Sequence, residues 1–305
     1  MRKQFCDAMV ARGVDPKLVF LTGDLGFMAL EPLQAAIGER FINAGVSEQN
    51  MISVAAALSR SGLEAWAYSI APFCTARPFE QIRNDVALHE LPVKIVGNGG
   101  GYGYGVMGPT HHAIEDYGTL LALNAMRACV PVFDQDVDAA VRLVGDTDAP
   151  FYLRLGRGEP PAGYVPPPFA PWRQLTSGGG PVMIAVGPLA GTFLGPILAL
   201  PEAARPNLWV VGVLPLEHNP LPSAVREQMA RADALVVVEE HVARGSFGSE
   251  LALHLAVAGL TPKRFVHACA RSARYERYGS QGYLRRQSML DPDAVMALVS
   301  TASTR

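Results

Sequence analysis

Apolar positions along the chain follow two alternating rhythms. A helical start runs to about Arg12 and gives way to the apolar burst Leu18–Leu21, which ends in Thr-Gly-Asp. The spacing then predicts a helix over Glu31–Glu39, a short strand near Arg40–Asn43, a helix through Met51–Arg60, an extended run at Leu63–Tyr68 and a helix over Phe79–His89. Val93–Gly97 reads VKIVG, a short continuous apolar run of the kind that forms a strand buried on both faces. Met126–Val132, a helix at Val137–Leu143 and Pro150–Arg154 close this first set. Such alternation predicts parallel α/β layers.

From Gly156 to Gly180 the composition switches to proline and glycine, which break both helices and strands, so this stretch is expected to connect two domains. Beyond it come Val182–Val186, a helix, Leu208–Leu214, Leu235–Val238, a helix over Ser249–Ala258, Phe265–Ala268 and a helix at Pro292–Ala302. The expected organisation is therefore an α/β chain of two parallel-sheet domains, 1–155 and 181–305, joined by 156–180. No internal repeat is visible.

Composition narrows the function classes. The 305 residues include 26 Lys+Arg against 28 Asp+Glu, and no basic block could track a phosphate backbone or an anionic membrane face. The uncharged stretch Leu175–Pro201 is interrupted by three successive glycines and four prolines, which fits a strand and a buried helix rather than a membrane span. Cys6, Cys74, Cys129 and Cys269 lie far apart with no C-x-x-C pair, arguing against a disulfide framework or a zinc site. The opening MRKQFCDAMVARG lacks the apolar run of a signal peptide, so the expected location is the cytoplasm.

Several motifs could carry chemistry. Gly103–Gly108 matches G-x-G-x-x-G, but it leads into Pro109-Thr110-His111-His112 rather than into a helix that could hold a pyrophosphate. The wider Gly97–Gly108 stretch holds seven glycines, which suits a loop whose backbone approaches a ligand. His111 and His112 follow it near a strand end, where α/β active sites lie, although adjacent histidines in such a loop also serve as structural caps. Glu115 and Asp116 fit no zinc spacing and are expected to be solvated residues of a helical first turn. Glu48, just before the apolar run Ile52–Leu58, has the spacing of an ordinary helix cap or dipole partner.

In combination these segments resemble a known family. Phe41-Ile-Asn-Ala-Gly-Val-Ser-Glu-Gln-Asn-Met51, Tyr68-Ser-Ile-Ala-Pro-Phe73, Arg77-Pro-Phe-Glu-Gln81 and Gly108-Pro-Thr-His-His-Ala-Ile-Glu-Asp116 are similar, in order and spacing, to the pyrimidine-binding domain of transketolases and deoxyxylulose-phosphate synthases. The second half, including Val238-Glu-Glu-His-Val-Ala-Arg-Gly-Ser-Phe-Gly248, resembles the transketolase C-terminal domain. Those enzymes hold the diphosphate of thiamine diphosphate through Mg²⁺ with a Gly-Asp-Gly motif and a later Asn. Gly23-Asp24-Leu25 and Gly145-Asp146-Thr147 do not complete that motif. The resemblance thus implies the C-terminal subunit of a split transketolase, whose N-terminal partner holds the diphosphate and the metal in an α₂β₂ or larger assembly.

The resemblance also implies roles. Glu48 would share a proton with the pyrimidine N1′, which requires withdrawing its carboxyl from water. Phe73 would stack on the aminopyrimidine, with Tyr68 and Phe79 completing an apolar wall. His111 would face the substrate oxygen and assist its proton movements, and His112 is a further candidate for the substrate side of the site, its exact role open. Thr22 and Asp24 would line the substrate channel, and Arg157, with Arg2 as a weaker match, would bind a substrate phosphate. No residue of this chain is expected to ligate a metal. Gly99 and Gly100 stand where the family carries a histidine or an arginine, and Met107 stands where it usually has Asp, so substrate recognition is expected to differ.

Three functions are compatible with this pattern. The first is transfer of a two-carbon ketol unit from a ketose to an aldose. The second is decarboxylation of a 2-oxo acid with carboligation or acyl transfer, as in deoxyxylulose-phosphate synthases or oxo-acid dehydrogenase β-subunits. The third is a non-catalytic regulatory role, against which Glu48 argues, because an unpaired buried carboxylate is costly to retain.

Overall fold

The computed structural model describes residues 1–26, 28–271 and 279–302. Two sheets organise it. The first is built from β1 (Leu18–Thr22), β2 (Phe41–Asn43), β3 (Glu64–Ile70), β4 (Lys94–Asn98), β5 (Arg127–Cys129) and β6 (Phe151–Leu155). The second contains β7 (Trp172–Gln174), β8 (Val182–Val186) and β9 (Asn207–Val211); after β10 (Val213–Leu214), β11 (Leu235–Val242) and β12 (Phe265–Ala270) complete it. The orders are β10-β5-β6-β4-β3-β1-β2 and β12-β11-β8-β9-β7. Among the described residues, the strands pair in parallel except β10 with β5 and β7 with β9. The chain is thus an α/β fold with one antiparallel edge strand on each sheet.

Those two edges depart from the reading of the sequence. The apolar run Leu208–Leu214 predicts one strand, yet it breaks at Gly212, whose N–H donates to Pro171 O and whose carbonyl accepts from Val130 N–H at 2.8 Å each. Residues 213 and 214 thereby join the first sheet instead of the second. Trp172–Gln174, inside the proline-rich connector, pairs with β9 at the edge of the second sheet. The expected helix at Phe79–His89 begins as a single α-helical turn and widens into a π-helix over Ile82–Ala87. Helices at Ser223–Arg231 and Gln281–Gln287 are additional to the elements that the pattern predicts.

Among the described residues, three apolar clusters hold the layers together. One face of the first sheet packs Phe20, Trp66, Tyr68 and Val96 against Phe5 and Met9 of the helix Arg2–Arg12 and against Val137 and Val141. The opposite face packs Leu21, Ala67 and Ile95 against Met51, Ile52 and Ala55. That cluster runs on without a break into Val182, Ile184 and Val237 of the second sheet, so one core serves both halves. The third lies on the far face of the second sheet, under the helices Leu189–Leu198 and Pro292–Ala302. Among the described residues, no helix is long and apolar enough to cross a membrane.

Candidate active site

The parallel strands β1, β2, β3, β4 and β6 end at Thr22, Asn43, Ile70, Asn98 and Leu155, and the segments that follow these C-terminal ends, loops and the first turns of helices, carry Asp24, Glu48, Phe73, His111 and Arg157. Ligands of open α/β sheets bind at this end.

Glu48 is the first residue of the helix Glu48–Arg60. Met51, Ile52 and Ala55 follow it at helical spacing on the face packed against the sheet, so the carboxyl is carried inward and its side chain is only 6% exposed. A carboxylate at a helix N-terminus is favoured by the backbone dipole, but so little solvent leaves it in need of a partner. Arg77 supplies one, its Nη1 donating to Oε1 and Oε2 of Glu48 at 3.1 and 3.2 Å. The Arg77 guanidinium also lies 4.0 Å from the centre of the Phe73 ring. A flat, delocalised group with N–H donors therefore already rests between this acid and this ring. An aminopyrimidine is likewise flat and carries N–H donors, and the residues present fit one.

The glycine-rich stretch forms a loop of tight turns, Gly105–Met107 and Pro109–His111, and not a phosphate-binding helix start. His111 stands edge-on to Phe73 with ring centres 5.0 Å apart, and its Nδ1 is 3.0 Å from Thr110 Oγ1. Tyr104 lies 6.4 Å from His111, centre to centre. Its phenol oxygen accepts from Asn98 Nδ2 at 2.6 Å. Asn98 and Tyr104 wall a cavity of about 730 Å³ whose boundary also carries Arg2, Lys3 and Arg157 together with Asp134 and Glu159. The buried N-terminal ammonium of Met1 is paired with Asp134 at 2.9 Å and Lys3 with Asp7 at 2.6 Å, which leaves Arg2 and Arg157 against Glu159 on this boundary.

Thr22 and Asp24 line a separate depression with Phe41 and Asn43. Asp24 accepts from Asn43 Nδ2 at 3.2 Å, and buried Thr22 turns its hydroxyl onto the carbonyl of Gly23. Phe79 is half-buried against the central core, two residues beyond Arg77.

Three expectations are corrected by this geometry. Tyr68 does not share a wall with Phe79: alternation along β3 puts it with Trp66 on the opposite face, stacked 5.7 Å from Phe5. Burial pushes its hydroxyl well above the ordinary range. His112 is not open to a substrate; it is buried, its Nε2 lies 3.1 Å from Gly105 O, and burial lowers its pKa, so it anchors the glycine loop as a neutral ring. Asp116 is not solvated. It is buried, accepting from Tyr152 Oη at 2.7 Å and Arg154 Nε at 2.8 Å. Arg154 Nη2 also donates to the carbonyls of Ala113 and Glu240, tying the histidine loop to the second half.

The residue pattern alone assigns no role to Arg77, Tyr104 or Asn98. Arg77 has a local signal, since it lies four residues after Phe73. The approach of Tyr104 to Asn98 depends on the course of the glycine loop. Among the described residues, no group of three or more His, Cys, Asp or Glu side chains is placed to hold a metal ion.

A doubly layered α/β chain with an enclosed acid, an aromatic ring and a histidine at its strand ends belongs to the transketolase family, and residues 3–162 match the transketolase pyrimidine-binding domain. Within that family the chain corresponds to the C-terminal subunit of a split enzyme. It is 28% identical over 281 residues to the apulose-4-phosphate transketolase B subunit of Phocaeicola vulgatus, covering 87% of this chain and 89% of that one. A solved structure of a split-gene transketolase, described as an inactive beta4 tetramer, superposes with a TM-score of 0.84 at 30% identity over 99% of this chain and 98% of that one. The chain is also 30% identical to 1-deoxy-D-xylulose-5-phosphate synthase 2 of Geobacter sulfurreducens, covering 87% of itself but only 43% of that protein.

Proposed function

We propose that this chain is the pyrimidine-side subunit of a two-component, thiamine diphosphate-dependent enzyme that moves a two-carbon ketol unit from a ketose to an aldose. A second chain, the N-terminal transketolase subunit, would supply the diphosphate- and Mg²⁺-holding half in an α₂β₂ or larger assembly. The observation that carries this reading is the secluded Glu48 carboxyl, held against a planar cation that lies on Phe73. Membership of the family and similarity to subunits of split transketolases support it.

When bound, thiamine diphosphate supplies an acidic thiazolium carbon and an electron sink for the carbon–carbon bond being broken. The chain's own residues do the rest. Glu48 holds a proton at the pyrimidine N1′, and Phe73 fixes the plane of the ring. His111, beside Phe73, exchanges a proton with the substrate oxygen. Arg157, with Arg2, binds an anionic group at the far end of the same loop region. The exposed apolar side chains Met28, Val46, Val106 and Met107 lie on loops at this end of the sheet, where the partner would cover them. All four cysteines are free thiols, in keeping with a reducing cytoplasmic location.

The test is to purify the chain alone and with a candidate partner, then follow thiamine diphosphate binding by calorimetry and ketol transfer over phosphorylated and free sugars. Neither is expected from the chain alone, and both from the pair; full activity of the isolated chain would refute the shared site. The similarity to deoxyxylulose-phosphate synthases favours a second reading, decarboxylation of a 2-oxo acid. Steady CO₂ release from pyruvate without ketose turnover would select it.

A further inference from the structure

Tyr104 occupies a place the site does not otherwise explain. It lies in the most glycine-rich loop of the chain, yet it is pinned from several sides. Gly99 has φ +77°, a conformation side chains rarely adopt, and a Cβ there would land on the Tyr104 ring. The ring therefore fills the space a side chain at 99 would take. The loop is tied down on both flanks: Tyr102 N–H donates to Glu240 Oε1 at 2.7 Å, and Gly105 O lies 3.1 Å from His112 Nε2. These ties hold the glycine-rich loop in a single shape around one phenol.

The phenol's hydrogen bonding is also decided. Asn98 is only 7% exposed, and its Nδ2 donates to Tyr104 Oη at 2.6 Å. A phenol has one proton of its own. With Asn98 acting as donor, that proton is directed away from it, and both residues wall the cavity that ends at Arg157 and Arg2. Tyr104 thus stands 6.4 Å from His111, ring centre to ring centre, and lines the same cavity as Arg157 and Arg2. The cavity of about 730 Å³ is of the size that encloses a small metabolite.

We propose that Tyr104 is the specificity-determining residue of this site, donating its phenolic O–H to a hydroxyl oxygen of a sugar phosphate whose anionic end lies on Arg157. The proposal rests on the ketol-transfer reading for the identity of the substrate class. It explains why Gly99 must lack a side chain and why Asn98 is buried with its amide turned toward the loop.

The test uses the full chain and Tyr104→Phe, titrated with D-ribose 5-phosphate and, separately, with inorganic phosphate. The loss of one neutral hydrogen bond should weaken ribose 5-phosphate binding about tenfold. Inorganic phosphate should bind both proteins alike, whereas Arg157→Ala should weaken both ligands. In the complex with the partner subunit, Tyr104→Phe should raise KM for the sugar about tenfold and leave kcat nearly unchanged. Equal binding of ribose 5-phosphate by wild type and Tyr104→Phe would overturn the proposal, as would a wild-type chain that prefers inorganic phosphate to the sugar. A complex without ketol transfer whose chain still shows the Tyr104-dependent binding would overturn the functional reading and leave this contact standing.

Discussion

Arg77 reaches across to Glu48 from four residues beyond Phe73, donating to both carboxylate oxygens at 3.1 and 3.2 Å while its guanidinium rests on the Phe73 ring. One cation thereby compensates the acid and covers the aromatic surface. Half of the Arg77 side chain is exposed, so it can swing out when a planar ligand competes for the same place.

This contact yields a prediction for Arg77→Met. Removing the cation leaves a nearly buried carboxylate without its ion pair, and the isolated chain should lose about 1–3 kcal/mol of stability, read from urea denaturation. The complex should bind thiamine diphosphate more tightly, because nothing has to be displaced. Weaker cofactor binding in the variant would mean that Arg77 assists the cofactor instead of yielding to it.

Glu48→Gln keeps the shape and removes the charge. With the partner subunit present, turnover should fall about 10²–10⁴-fold, the range lost with a positioned proton-transfer group. The variant should retain its melting temperature to within a few degrees. Turnover at the wild-type rate would restore the regulatory reading.

A third expectation concerns Asp116 and Arg154, a buried pair at 2.8 Å that joins the histidine loop to the rest of the chain. Asp116→Ala leaves a guanidinium enclosed without its anion, at a cost of about 3–5 kcal/mol. Removing both charges with Asp116→Leu and Arg154→Met should recover most of that loss. A double variant as unstable as the single one would locate the effect in packing, not in charge.

Stability should also depend on pH. His241 is fully buried, its Nδ1 lying 2.7 Å from Val242 O and its Nε2 accepting from Gly118 N–H at 3.1 Å, an arrangement that needs the neutral ring. Burial lowers its pKa from the ordinary 6.5, and His112 is shifted the same way for the same reason. Between the folded and unfolded values the unfolded chain binds more protons, so stability rises with pH there. The contribution is complete above about pH 6.5 and is lost progressively below it. Urea midpoints measured from about pH 7.5 down to about pH 5 should fall through this window, and a flat profile would contradict the assignment.

Much of the architecture is legible because buried parallel strands are short apolar runs and the helices between them are amphipathic. Leu18–Leu21, Val93–Gly97 and Val182–Val186 each fall on observed strands. Tyr68 escapes such a reading because β3 is apolar on both faces, and only its parity with Trp66 reveals which side it takes. The pairing of Asp116 with Arg154 spans 38 residues, and no local pattern announces it. The Asn98–Tyr104 bond is hidden for a different reason: six residues separate the partners, but the intervening glycines permit many paths. Spacing thus yields the strands and helices, the roles expected of Glu48, Phe73 and His111 come from the family resemblance, and partners brought together by loops and sheet ends are legible in neither.

The two-residue strand β10 binds the halves of the polypeptide in a way a cut-and-paste engineer would overlook. A fragment ending within the proline-rich stretch would carry six of the seven strands of the first sheet and leave Arg127–Cys129 as a bare edge, with donors and acceptors open to a stranger. Modular swaps among relatives should therefore place their junction after Leu214. Polypeptides truncated near residue 180 should collect in the pellet, while those that retain the short antiparallel strip should be more soluble.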